Sequence, residues 1–138
     1  MAFQFESEAI RFAMQLFTKS FNEENNALIS PLSVSLALGM VMRGAEGETK
    51  EEMRKVLAGE LDQETFENAL TEYAKALPSN DKTKFHFADS IWVEKAFKLH
   101  RKYEKKTEKL YKSVIERLPF DEEAVRKINA WEIGRAHV

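Results

Sequence analysis

The side chains that could do catalytic chemistry are few, and their spacing suits no familiar active site. The histidines His86, His100 and His137 have neither metal-ligand spacing nor an obvious carboxylate partner. We expect His86 to be a partly buried strand side chain and His100 an exposed residue at a helix start. The chain has no cysteine, no glycine-rich phosphate loop and no nucleophile elbow. We therefore predict that the protein is not an enzyme and has no catalytic residue, metal site or cofactor.

Two serines, Ser30 and Ser33, stand at the start of a long apolar segment. Ser30 followed by Pro31 is typical of a helix N-terminus, because the serine hydroxyl accepts a backbone N–H. Proline at the first helical position gives up only an N–H that would have had no partner. Local helix chemistry therefore accounts for both hydroxyls without any further role.

A run of basic residues lies between positions 95 and 112. In a helix, five of them fall on one stripe opposite Leu99, Tyr103 and Leu110: Lys98, Arg101, Lys105, Lys109 and Lys112. A polyanion is one ligand for such a stripe. The alternative is a solvated helix face, to which a Glu108–Lys112 pair adds a little stability.

Length and composition indicate enough apolar material for one packed domain. The 138 residues are 43% hydrophobic and 11% aromatic. The 21 basic and 23 acidic residues are well mixed and leave a net charge of −2. The overall charge therefore gives no net electrostatic attraction to nucleic acid or to an anionic membrane. We see no signal peptide and no uncharged run of membrane-spanning length, which leaves the localisation open.

Hydrophobic periodicity predicts four helices in the first half of the chain. The first spans residues 5–21, and the second runs from Ser30-Pro31 to Gly44, which is expected to be a left-handed C-cap. Thr49, with capping-box spacing to Glu52, is expected to cap a third helix that Gly59 closes. Asp62 is expected to cap a fourth helix that ends before Pro78.

The second helix is apolar almost all round, so it must be enclosed by other structure. Its large apolar residues are Leu32, Val34, Leu36, Leu38, Met40, Val41 and Met42.

The period changes to that of a strand after residue 84. Apolar residues alternate over 85–93, with Asp89 as a polar exception on the apolar face. A fifth helix follows within 95–112, then a short strand over 114–120 and a sixth helix from Ala124.

Three blocks of the sequence resemble the serpin family. Asn26 to Ser33, followed by Gly44-Ala45-Glu46-Gly47-Glu48-Thr49, resembles the amino-terminal signature of serpins. Residues 88–93 resemble the second strand of the family's large sheet, and 128–131 the opening of its sixth helix. The resemblance implies an α+β fold, with serpin-like helices and strands of a large mixed sheet that is incomplete in this chain. It marks as structural motif residues Asn26, Pro31, Gly44, Gly47, Thr49, Asn129 and Trp131. Asp89 stands where the family usually has asparagine.

The resemblance implies that the parent protein irreversibly inhibits serine proteases and, in some family members, cysteine proteases. A bait loop is cut and then inserts into the large sheet as a new strand. Ser30 and Ser33 match residues under the shutter, where the central strands part. Some serpins bind glycosaminoglycans through a basic fourth helix, but the matching segment here is acidic.

The bait loop is expected beyond residue 138, so the fragment itself is predicted to be inactive. We also expect the fragment to aggregate or to need the missing portion. Two alternatives remain open at this point. One is a non-inhibitory serpin acting as a carrier, chaperone or storage protein, and the other is an autonomous helical interaction module.

Residues 1–131 are expected to form the amino-terminal part of a single serpin domain. Residues 132–138 match nothing in the family, and their back-translation resembles the start of a DNA sequencing adapter. We therefore expect this tail to be a sequencing or cloning artefact, and genomic DNA that encodes the same tail would contradict that expectation.

Overall fold

The computed structural model describes residues 2–77 and 87–136. Within these residues the helices and strands follow one another in the predicted order. The elements are α1 (Ala2–Ser20), α2 (Pro31–Gly44), α3 (Gly47–Ala58), α4 (Gln63–Ala76), β1 (Ser90–Glu94), α5 (Arg101–Tyr111), β2 (Val114–Leu118) and α6 (Glu122–Ala136). His86, His137 and Pro78 lie outside the described residues. The chain divides into two units, 1–87 and 88–138.

The first unit is built from four helices that pack on one another. α1 contacts α2, α3 and α4, and α2 also contacts α3 and α4. The rings of Phe5 and Phe66 lie with centroids 6.0 Å apart. The buried apolar residues of this unit are Phe5, Phe12, Leu36, Met40, Met42, Leu57, Ala58, Leu61, Phe66 and Leu70. Their burial is the main source of stability available to this unit.

α2 is only partly covered by the described residues. Leu36, Met40 and Met42 are buried, whereas Val41 is 56% exposed. The remaining large apolar side chains of the helix, Leu32, Val34 and Leu38, are half-buried. The expectation that this helix needs more enclosing structure therefore agrees with its observed exposure.

The turn between α2 and α3 corrects two sequence predictions. Gly44 is the last residue of α2 and is not a left-handed cap, because Ala45 follows it in an extended conformation with φ −77°. The left-handed residue is Gly47, with φ 59°. α3 begins at Gly47 after Glu46, so Thr49 lies inside the first turn and does not cap the helix. Only two residues lie between the two helices, so α3 starts at Gly47, earlier in the chain than predicted.

The predicted start of α4 is confirmed. The Asp62 side chain accepts a hydrogen bond from the Thr65 backbone N–H at 2.9 Å. The Thr65 hydroxyl donates to the same carboxylate at 2.7 Å. The backbone N–H and the hydroxyl of Thr65 therefore both find a hydrogen-bond acceptor in the Asp62 side chain.

The second unit contains a parallel strand pair. β1 and β2 run side by side with Ser90 opposite Val114 and Glu94 opposite Leu118. Parallel neighbours need a crossover, and α5 supplies it while packing on β2. β1 is shorter than predicted, because residues 87–89 precede the strand and 85–86 lie outside the described residues.

The ends of α5 and α6 differ from the sequence prediction. α5 begins at Arg101, and Lys112 follows its last residue in a left-handed conformation with φ 52°. α6 begins at Glu122, two residues before the predicted start, because the Asp121 carboxylate accepts the Ala124 N–H at 2.9 Å. α6 continues to Ala136.

In the described part of the chain, no helix has the length and apolar character needed to span a membrane.

Candidate functional site

The start of α2 carries the two serines singled out by the sequence. Ser30 is the N-cap residue, and its hydroxyl lies 2.8 Å from the hydroxyl of Ser33. The Ser33 N–H also points to the Ser30 hydroxyl, at a long 3.4 Å. Both side chains are exposed, so the short hydroxyl pair presents donors and acceptors at the surface.

The other motif residues are dispersed over the two units. Asn26 is exposed in the loop before α2, and Pro31 is the first residue of α2. Asn129 is exposed on α6, two residues before Trp131. The Trp131 ring meets that of Trp92 on β1 edge to face, with centroids 6.3 Å apart. The tryptophan pair thus joins α6 to the strand pair within the second unit.

A partly buried ion pair in the first unit was not predicted from the sequence. Arg43, at the end of α2, contacts the carboxylate of Glu67 on α4. The Glu67 side chain is 1% exposed and also accepts from the Gln63 amide at 3.2 Å. The only sequence signal was an acidic residue directly after Phe66 on the apolar side of α4.

A second group of polar contacts joins α1 to α3. Arg11 donates to the Val56 carbonyl at 3.0 Å and to the Lys55 carbonyl at 3.3 Å. The Lys55 carbonyl also accepts the Gly59 N–H at 3.2 Å, so Arg11 adds a cap from another helix to the end of α3. The hydrogen bond from Arg11 is the main cause that lowers the pKa of Glu8 below its usual value.

Asp89 precedes β1, and its backbone carbonyl accepts the Val114 N–H at 3.1 Å. The backbone of this residue therefore takes part in the ladder to the second strand. Its side chain is half-buried, and burial raises the pKa of the carboxyl group above its ordinary value.

α5 presents the basic residues predicted to form a stripe, but not all five belong to the helix. Arg101, Lys105 and Lys109 are exposed on α5, whereas Lys98 precedes the helix and Lys112 follows it. No pair between Glu108 and Lys112 forms among the described residues, because the left-handed backbone at Lys112 takes this residue off the helix.

Among residues 2–77 and 87–136, no group of three or more histidines, cysteines and acidic residues is arranged to hold a metal ion. His100 is exposed at the start of α5.

Comparison with known proteins connects this fold to one family. A family model described as Serpin (serine protease inhibitor) matches residues 7–133. Human Serpin B3 is 32% identical over 85% of this chain and 34% of its own length. The leukocyte elastase inhibitor of Xenopus tropicalis is 30% identical over 91% of this chain and 35% of its own length.

A solved structure shares the fold as well. The thermophilic serpin tengpin, in its latent state, matches with a TM-score of 0.87 and 34% identity, over 95% of this chain and 36% of that one. The chain therefore belongs to the serpin family, many of whose members are protease inhibitors. The predicted α+β fold class is confirmed, and the chain spans about a third of the length of the relatives it matches.

Proposed function

We propose that residues 1–131 belong to the amino-terminal part of an irreversible inhibitor of serine proteases. The observation that carries the proposal is the family match over residues 7–133, together with a relative whose name describes an elastase inhibitor. In this proposal the complete protein offers a bait loop, which is cut and inserts into the large sheet while the protease remains attached.

The partly covered helices support a larger protein around these residues. α1 and Phe21, the residue after it, expose one apolar stripe whose spacing follows the helical repeat. Its members are Phe3, Ile10, Met14, Phe17 and Phe21, exposed by 84%, 64%, 60%, 39% and 49%. Exposed apolar area of this extent favours further chain packed on the same face.

The role proposed for Ser30 and Ser33 is to support the strands that part during loop insertion. The two hydroxyls form a short pair at an exposed helix start, where they are available to further backbone groups. A pair of small polar side chains can exchange hydrogen bonds with a strand that moves, since each hydroxyl both donates and accepts.

The test is an inhibition assay on a full serpin-length chain that contains residues 1–131. We expect a complex with a serine protease that survives denaturing electrophoresis, formed with trypsin-, chymotrypsin- or elastase-like enzymes. Replacement of both serines, Ser30→Ala with Ser33→Ala, is expected to lower the fraction of chains that trap protease. The 138-residue chain alone serves as the matched control and is expected to trap none.

Cleavage of the full-length chain without a stable complex would contradict the inhibitory role. That result, with no gain in thermal stability after cleavage, would favour the carrier, chaperone or storage alternative. Trapping by the 138-residue chain itself would contradict the proposal that the reactive segment lies elsewhere.

A further inference from the structure

α2 carries apolar side chains almost all round, so apolar packing alone does not fix its rotation about its own axis. Met40, Val41 and Met42 are consecutive and point in directions about 100° apart. Met40 and Met42 are buried, whereas Val41 is 56% exposed. If the helix were turned by one residue position, a side chain of similar hydrophobicity would take each place. The free energy of burial therefore distinguishes only weakly between such settings of α2.

One side chain of α2 does distinguish these settings. Arg43 is the ionisable residue of this helix, whose sequence is otherwise apolar apart from Ser33 and Ser35. The guanidinium of Arg43 contacts the carboxylate of Glu67 on α4, and we call this contact the α2–α4 ion pair. Its two partners must face each other, so the pair forms in one rotational setting of α2.

The carboxylate of Glu67 is held in place on α4. Its side chain is 1% exposed, and Phe66 and Leu70 of the same helix are buried as well. The Gln63 amide, one turn earlier on α4, donates to the Oε1 atom of Glu67 at 3.2 Å, while Arg43 contacts its Oε2 atom. Each carboxylate oxygen therefore has a donor, which keeps the acceptor for Arg43 in one orientation.

The α2–α4 ion pair is better suited to structural specificity than to stability. Burial withdraws both groups from most of the surrounding water, and this cost can equal the attraction between the charges. The Nε–H group of Arg43 is also buried and has no hydrogen-bond partner among the described residues. An apolar pair of similar size would avoid both costs. Such a pair would not, however, select one rotational setting, as a buried polar group does in a coiled coil.

We propose that the α2–α4 ion pair fixes the rotation of α2 and thereby orients the hydroxyls of Ser30 and Ser33. The helix is continuous over Pro31–Gly44, so a constraint at Arg43 acts along its whole length. Ser33 lies ten residues before Arg43, about 15 Å along the axis. A turn by one residue position would swing the Ser33 hydroxyl by about 100° around that axis. The setting of α2 rests on these contacts, whereas its effect on protease trapping rests on the proposed function.

The test compares substitutions in the full serpin-length chain of the inhibition assay. Arg43→Met with Glu67→Met removes both charges and approximately keeps the side-chain volume, so the thermal midpoint is expected to stay equal or to rise. The fraction of chains that trap protease is nevertheless expected to fall by at least about twofold. The matched control is Glu123→Met with Lys127→Met, which removes an exposed ion pair of α6 and is expected to change neither quantity.

Two further measurements separate positioning of the serines from a general structural effect. Because the α2–α4 ion pair acts through the serines, its methionine substitutions are expected to cause no further loss of trapping when added to Ser30→Ala with Ser33→Ala. In a crystal structure of the methionine variant, we expect α2 to be turned about its axis relative to α4 or to occupy several settings.

Losses that multiply in the combined variant would overturn the proposal, as would undiminished trapping by the methionine variant. A lower thermal midpoint of the methionine variant would assign the pair to stability and would overturn the proposal too. The same holds if the crystal structure shows α2 in its native setting. A native chain that traps no protease would contradict the proposed function alone, and the crystal structure would still decide the setting of α2.

Discussion

At the scale of single residues, Asp89 is an ionisable group whose charge opposes folding. Its carboxyl group is half-buried beside β1, and burial raises its pKa. The folded state therefore holds a proton at pH values where the unfolded chain has lost it. Between the unfolded pKa of about 3.9 and the raised folded pKa, stability falls as the pH rises.

We predict that Asp89→Asn stabilises the second unit at pH 7. The substitution removes the cost of a half-buried carboxylate and keeps a side chain of similar shape. Both tryptophans, Trp92 and Trp131, belong to this unit, so urea unfolding followed by tryptophan fluorescence reports on it. We expect a higher urea midpoint at pH 7 and no difference well below pH 4.

The control for this prediction is Glu116→Gln on β2. Glu116 is exposed, and its replacement removes the same charge without relieving burial. An equal gain from Glu116→Gln would indicate a general charge effect, and a gain from Asp89→Asn that persists at low pH would contradict the stated cause.

Gly59 is a residue whose conformation only glycine tolerates easily. It has φ 58° and ψ −116° at the end of α3, and a methyl group there would meet the Glu8 carboxylate of α1. The left-handed backbone therefore favours glycine at this position.

At the scale of elements, helix starts depend on which residue lies just before the first turn. Asp62 caps α4 with two hydrogen bonds involving Thr65, and the Thr65 hydroxyl is the main cause that lowers the pKa of Asp62. Thr49 has the sequence pattern of a cap, but it is the third residue of α3. The two positions therefore form a natural pair for comparison.

We predict opposite outcomes for Asp62→Ala and Thr49→Ala. The first change leaves helix-start donors without their partner and is expected to speed amide exchange in the first turn of α4 on the order of fivefold. The second places alanine inside an exposed helical turn and is expected to leave exchange in α3 unchanged or slightly slower. Hydrogen exchange with mass spectrometry on the 138-residue chain measures both.

The comparison also tests the assignment of the α3 start. Faster exchange in Thr49→Ala than in Asp62→Ala would mean that Thr49 is the true cap and that α3 begins three residues later, at Lys50.

At the scale of the whole molecule, the described helices leave much apolar surface uncovered. The apolar stripe of α1 and the adjoining Phe21 is exposed, and α2 exposes Val41. Full burial of one such side chain is worth about 1.5–3 kcal/mol, and a whole domain is stable by only about 5–15 kcal/mol. Several uncovered side chains therefore remove a large part of the stability of a compact monomer.

We predict that the 138-residue chain does not melt sharply as a monomer. Circular dichroism and tryptophan fluorescence are expected to give broad transitions that do not coincide, and size-exclusion chromatography is expected to show self-association. Residues 1–131 serve as the control and are expected to behave in the same way, because Glu132, Ile133 and Gly134 are exposed. A soluble monomer with one sharp, coincident transition would favour the autonomous helical module.

The sequence by itself determined the order of the elements, because helical and strand periodicity and most caps depend on neighbours within a few residues. Ser30-Pro31 and Asp62 predicted the starts of α2 and α4. The motifs from Asn26 to Thr49 indicated the family, which the comparisons confirm. The exact start of α3 was not predictable, since the short connection after Gly44 decided it.

Only the tertiary structure decided which distant groups meet. The pairing of Arg43 with Glu67 spans 24 residues, and the capping of α3 by Arg11 spans 45. Such contacts depend on how helices pack, and no local pattern encodes them. For the same reason, only the packing of α5 against β2 paired Glu104 with Arg117.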